Sequence, residues 1–182
     1  MPTEYDAVVL AGGRSRRMRV ADKTALSVGG VSLLARVLQA TTRARSVIVV
    51  GPERPVARSV TWVQDEPSGG GPAAAVGTAL PVVSAEIVVL LAADLPFVTA
   101  AHIEQLAEAV TDDGAVYVDA GGAEQWLCSA WRAQTLCGLP LTAGGSLRHA
   151  LGSLAFERLA DALVAIDCDT PDDLRRAEEM LS

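Results

Sequence analysis

Short β-rich aliphatic runs alternate with amphipathic helical patterns along most of this chain, and that alternation limits the fold more than any other feature. Residues 5–11 read as a buried first strand closed by Gly12-Gly13. Residues 46–50 read as a second, stopped by Gly51-Pro52, and 60–64 as a short third. The most apolar run, 87–91, reads as a fourth strand ending at Asp94-Leu-Pro96. Between these runs, Val31, Leu34, Val37, Leu38 and Thr41 recur at three- and four-residue spacing and predict a helix over 31–44. A second helix is expected over 72–83, where Pro72 suits a first turn, and a third over 99–110 with Thr99 as N-cap.

The last third is less regular. Strands over 115–119 and 125–131 flank Ala120-Gly-Gly122 and predict a hairpin. Short helices are expected near 133–139 and 146–154, and a final strand over 163–166. Thr170 as N-cap, Pro171 at the first helical position and Asp172 and Asp173 in the first turn mark a closing helix. The order is β-α-β-β-α-β-α followed by a mixed tail. That is an α/β chain with an open, mostly parallel sheet and one antiparallel excursion. No repeats, long linkers or low-complexity stretches divide it, so a single domain over 1–182 is expected.

Composition excludes several function classes. Half of the residues are hydrophobic but only 4% are aromatic, so Val, Leu and Ala must fill a core that packs helices closely on a sheet. The net charge of −7 argues against nucleic acid as a partner, since phosphate backbones need clustered Lys and Arg. One local basic loop still suffices for a small anion. Cys128, Cys137 and Cys168 form no CxxC pair and are odd in number, which excludes a disulfide framework and predicts buried reduced thiols. The acidic, polar start lacks the pattern of a secretory signal, and the longest apolar run, 87–93, is far short of the roughly 20 residues that span a bilayer. A soluble cytoplasmic protein without membrane contact is expected.

In open α/β sheets ligands bind where loops leave the carboxyl ends of the strands. Three chemically loaded segments fall at such ends: 12–23, 65–72 and 94–96. The first combines adjacent glycines, which let backbone N–H groups approach a ligand, with arginines and Lys23, and reads as a triphosphate cradle. It is neither GxGxxG nor GxxxxGK[ST], so dinucleotide and P-loop mechanics do not apply and a Rossmann oxidoreductase is disfavoured. Asp94, a carboxylate ending a buried strand, needs a partner. A hard cation shared with substrate phosphates is a natural one.

The string Leu10-Ala-Gly-Gly-x-Ser-x-Arg-Met-x-x-x-Asp-Lys23 resembles the signature loop of nucleotidyltransferases of the MobA-like NTP transferase family, and is most similar to the molybdenum cofactor guanylyltransferase group. Ser68-Gly-Gly-Gly-Pro72, Ala92-Ala-Asp-Leu-Pro96 and Asp167-Cys-Asp-Thr-Pro-Asp-Asp-Leu174 match further motifs of that family. The resemblance implies a Rossmann-like three-layer α/β/α fold and transfer of GMP from GTP to the phosphate of molybdopterin, with release of pyrophosphate. It implies that Leu10, Ala11, Gly12 and Gly13 contact base and sugar, that Asp65 contacts the base, and that Lys23 reaches the phosphates. Asp94 would hold Mg²⁺, with Lys23 and Arg17 completing the catalytic set, and Gly71, Pro72 and Asp169 would bind the acceptor.

The chain departs from the family pattern at Arg19, where glycine is usual, and at Ala73 to Ala75, where Leu-Ala-Gly is. Val50-Gly51 replaces an asparagine common at the end of the second strand. Partners implied are GTP and a molybdopterin-like acceptor, with the chain a monomer or in transient contact with cofactor-biosynthesis or molybdoenzyme chaperone proteins. Three alternatives stand beside this reading. One is a cytidylyltransferase for the same cofactor, another a guanylyl- or cytidylyltransferase for a different phosphorylated acceptor. The third is a homologue that binds nucleotide or pterin without turnover. Among other residues, His102 is expected at the surface, and Gly144-Gly145-Ser146 with Arg148 and His149 forms a loop able to bind a phosphate of the second substrate. Trp126 and Trp131, five apart, would face opposite sides of a regular strand.

Overall fold

The computed structural model of the chain describes residues 3–12, 26–64, 69–164, 166–168 and 170–181. Seven strands form one sheet in the order β5-β4-β1-β6-β8-β7-β9. They are β1 (Tyr5–Leu10), β4 (Val47–Val50), β5 (Thr61–Val63), β6 (Ile87–Ala92), β7 (Gly114–Val118), β8 (Glu124–Arg132) and β9 (Phe156–Ala160). Pairing is parallel between β1 and β4, β1 and β6, β4 and β5, and β7 and β9; β8 alone runs against both neighbours. The expected mostly parallel sheet with one antiparallel strand is thus the observed one.

Side chains of one strand face alternately to the two sides of a sheet. On one side Ala7, Val9, Val89 and Leu91 pack against α1 (Leu33–Ala40) and α3 (Ala100–Glu108). On the other, Val8, Val88 and Leu90 pack against α2 (Pro72–Ala79), α4 (Ala133–Cys137) and α5 (Leu147–Leu151). The result is three layers, helices on both faces of a sheet whose central strands are fully buried. A smaller core of Val28, Leu33, Cys168 and Ala177 joins α6 (Pro171–Met180) to the two-stranded hairpin β2 (Ser27–Val28) and β3 (Val31–Ser32).

The helix expected over 31–44 begins only at Leu33. Ser32 is its N-cap, its Oγ accepting from the Ala35 N–H (3.2 Å), and Val31 belongs to the hairpin, whose turn uses Gly29 and Gly30 at φ 58° and 76°. The helix ends at Thr41, whose Oγ1 donates to Leu38 O (2.8 Å) and accepts from Arg58 Nη1 (2.7 Å). Thr99 and Thr170 are N-caps as expected, each in a reciprocal capping box, with His102 and with Asp173. His102 is therefore not a plain surface residue. Its Nδ1 accepts from the Thr99 N–H (3.2 Å), and its ring stands edge-on to Tyr117.

Two expectations fail in the last third. Among the described residues of 163–166 no strand is found. Asp161 Oδ1 accepts from the N–H groups of Leu163 (2.8 Å) and Val164 (3.1 Å), a turn that removes those donors from any ladder. The strand is β9 instead, on the sheet's edge, where Glu157 and Arg158 remain exposed. The tryptophans do not face opposite sides. Between Val118↔Glu124 and Val116↔Ser129 the register slips, and Ser129 Oγ donates to Trp126 O (2.7 Å) within this bulge. Trp126 and Trp131 consequently stack at 6.3 Å and both meet Phe156. Cys128 and Cys168 are buried thiols as expected, and burial pushes the Cys128 thiol up to about 12. Cys137 is exposed.

Candidate active site

The carboxyl ends of the parallel strands meet at one level. Leu10 is in register with Val50 on one side and Ala92 on the other. The ladder then runs one residue further. The Ala11 N–H donates to Val50 O (2.9 Å), the Ala93 N–H to Leu10 O (3.1 Å), and the Gly51 N–H to Val63 O (2.9 Å). Ala11 is still buried and Gly12 is exposed, so the chain emerges from the sheet between them. There the backbones of Gly12 and Gly51 lie against each other. A Cβ on Gly12 would be 3.6 Å from Gly51 Cα, ordinary contact.

Asp94 stands two residues beyond β6, half-buried, on a loop pinned by buried Ala93, Leu95 and Pro96. Its carbonyl oxygen accepts from the Cys168 N–H (3.2 Å). This bond carries the 167–168 segment to the strand end. The buried Cys168 side chain anchors that segment to Val28 and Leu33, which follow the first loop. Asp167 is exposed beside it.

The helix α2 starts from Gly71, at φ 89°, with no side chain capping its first turn, and Pro72 occupies the first helical position as expected. The Gly144 N–H donates to Gly70 O (2.8 Å), which lays the 144–146 loop over this helix start. Ser146 caps α5, its Oγ accepting from the His149 N–H (3.5 Å). Arg148 Nη2 is 3.9 Å from Glu124 Oε2, and Arg158 Nη2 is 3.0 Å from Glu124 Oε1. The Arg158 hydrogen bond foremost holds the Glu124 carboxyl below its ordinary range.

The structure thus gathers Leu10, Ala11, Gly12 and Asp94 at adjacent strand ends and sets Gly71 and Pro72 at a helix start joined to the 144–146 loop. Gly13, Arg17, Lys23, Asp65 and Asp169 lie outside the described residues. Among the described residues no three His, Cys, Asp or Glu side chains group as a metal cage. A strand-end carboxylate such as Asp94 suits a hard divalent ion held mainly by substrate phosphates. Sequence reasoning missed three links: Gly51 against Gly12, Cys168 to Asp94, and Gly70 to Gly144. Of these only Gly51 left a trace, and there it read as a strand stop.

Gly12 and the Asp94 carboxylate emerge from neighbouring strand ends of an α/β/α sheet, the place where this class of fold binds ligands. Residues 7–158 match the family model described as the MobA-like NTP transferase domain, and the chain belongs to that family. It is 32% identical to the probable molybdenum cofactor guanylyltransferase of Natronomonas pharaonis, over 98% of this chain and 99% of that one. It is 28% identical to the molybdenum cofactor guanylyltransferase of Rhodobacter capsulatus, over 96% and 95%. The fold is also that of molybdopterin-guanine dinucleotide biosynthesis protein A from Archaeoglobus fulgidus, with a TM-score of 0.75 at 22% identity over 97% and 98% of the two chains.

Proposed function

We propose that this chain, as one nucleotidyltransferase domain over 1–182, transfers GMP from GTP to the phosphate of molybdopterin. A phosphate oxygen of the acceptor forms a bond to the α-phosphorus of GTP as the α–β phosphoanhydride bond breaks, and pyrophosphate leaves with the bonding pair. The acceptor phosphate is already ionised at neutral pH, so no protein base or nucleophile is required. Catalysis is then positioning and charge neutralisation.

One observation carries the reading: the Asp94 loop and the Gly12 turn leave adjacent, in-register strands, tied by the Ala93 N–H bond to Leu10 O at 3.1 Å. In this reading the backbone of Leu10 to Gly13 lies along base and sugar, and Asp65 accepts hydrogen bonds from the base. Lys23 and Arg17 bind the triphosphate. Gly71, Pro72 and Asp169 hold the acceptor, with the 144–146 loop, Arg148 and His149 available for its phosphate. Asp94 would hold Mg²⁺, which would supply charge neutralisation for the transferring phosphoryl group. The location in keeping with this chemistry is the cytoplasm. No helix among the described residues is long and apolar enough to cross a membrane.

Base choice tests the guanine part separately. A carboxylate at Asp65 can accept from N1–H and the exocyclic amine of guanine, a donor pair that cytosine lacks, and a site built for such donors rejects the analogue without them. GTP should exceed CTP by at least about tenfold in kcat/KM, and Asp65→Ala should narrow that gap more than it lowers the best rate. Equal use of CTP, or an unchanged preference in the variant, would overturn the guanine assignment.

A further inference from the structure

Gly51 is buried at φ 142°, in the range that favours glycine, one residue past β4. A Cβ built there would lie 2.7 Å from Gly12 N, 2.9 Å from the Ala11 carbonyl carbon and 3.1 Å from Ala11 O. Those atoms are backbone, so no rotamer relieves the overlap and the Ala11-Gly12 peptide itself must move. It has little freedom to do so on its other side, because the Ala11 N–H is fixed to Val50 O (2.9 Å) and Gly51 is fixed through its own N–H to Val63 O (2.9 Å). Gly12, in contrast, tolerates a Cβ at 3.6 Å from its neighbours, so the tightness of this junction resides in Gly51.

We infer that Gly51 is a positioning residue for nucleotide binding: its bare Cα is the wall against which the Ala11-Gly12 peptide takes the one position that fits base and sugar. The inference rests on the transferase reading above and deepens it. The base and sugar are remote from the reacting phosphorus, so displacing this peptide removes binding shared by ground and transition states. Its mark is a raised KM at near-constant kcat.

The test compares Gly51→Ala with Gly122→Ala. Gly122 has φ 81° with nothing within 4 Å of a built Cβ, so its alanine carries backbone strain without meeting the Ala11-Gly12 peptide. In the purified full-length chain, Gly51→Ala should raise KM for GTP about tenfold with kcat within about twofold. Gly122→Ala should lower the melting temperature and leave KM unchanged. An unaltered KM in a folded Gly51→Ala, or a loss confined to kcat, overturns the inference while the transferase reading stands. A wild type that neither binds nor turns over GTP overturns both. If Gly51→Ala does not fold, amide shifts in the wild type decide: GTP should move the Gly51 and Gly12 resonances together and leave Gly122 in place. A static Gly51 resonance contradicts the proposal.

Discussion

Strands β6 and β9 lie in the same sheet and present opposite characters. β6 runs between β1 and β8, hydrogen-bonded on both edges, with every residue from Ile87 to Leu91 buried. β9 pairs only with β7, and Glu157, Arg158 and Ala160 are exposed. A strand enclosed on four sides must be aliphatic throughout, and the loop leaving it inherits a rigid anchor. That is where Asp94 sits. An edge strand meets neither demand, so β9 is free in sequence and carries none of the residues proposed for the site. Rigidity and the residues proposed for the site therefore concentrate at the carboxyl ends of the central strands.

The largest expected effect is at the β6 end. Asp94→Asn should leave the melting curve near wild type and lower kcat by about 4 kcal/mol of transition-state stabilisation, roughly a thousandfold. Near-wild-type turnover at saturating Mg²⁺ would break the link between the enclosed strand and the chemistry. Within the two strands themselves, Leu90→Ala should destabilise by about 3 kcal/mol, as a large side chain is lost from a sealed core. Leu159→Ala on β9 should cost about 1 kcal/mol, because that side chain is only partly buried. Equal losses in urea unfolding would erase the distinction.

The closing helix offers a test of intermediate size. Thr170 Oγ1 accepts from the Asp173 N–H (3.2 Å) and donates to Asp173 Oδ2 (2.7 Å). Thr170→Ala should lower stability by about 1 kcal/mol, read as a shifted urea midpoint. The smallest effect belongs to the pair of exposed Arg43 and half-buried Glu104, 3.0 Å apart. Arg43→Ala should change stability by less than about 0.5 kcal/mol and leave GTP binding intact. Lys23→Ala should weaken GTP binding, and equal effects at both positions would point to bulk charge in place of a specific contact.

How much of this was legible in the sequence follows the same contrast. The central strands, the caps at Thr99 and Thr170, the hairpin around Gly122 and the turn at Gly71-Pro72 are each fixed by local pattern, and each is found where the sequence puts it. β9 lies before the more apolar run at 163–166 because an edge strand may hold Glu157 and Arg158, while Leu163 and Val164 give their N–H groups to Asp161. The stacking of Trp126 on Trp131 depends on a bulge whose extra residues have no periodic signature. At the site, Asp94 and Gly12 announced themselves by residue type. The Cys168 bond to Asp94 and the fit of Gly51 against Gly12 did not, since both are backbone relations between segments distant in sequence.

In the proposed function these strand ends form a nucleotidyl-transfer site for GTP and molybdopterin. Its most direct test is pyrophosphate release by the purified chain with Mg²⁺ and molybdopterin, across a panel of GTP, CTP, ATP and UTP. Pyrophosphate should appear in step with a guanine dinucleotide product, with GTP preferred and with no release when molybdopterin is omitted. Absence of turnover with every nucleotide, in a folded protein, would contradict it and leave a binding homologue as the surviving reading.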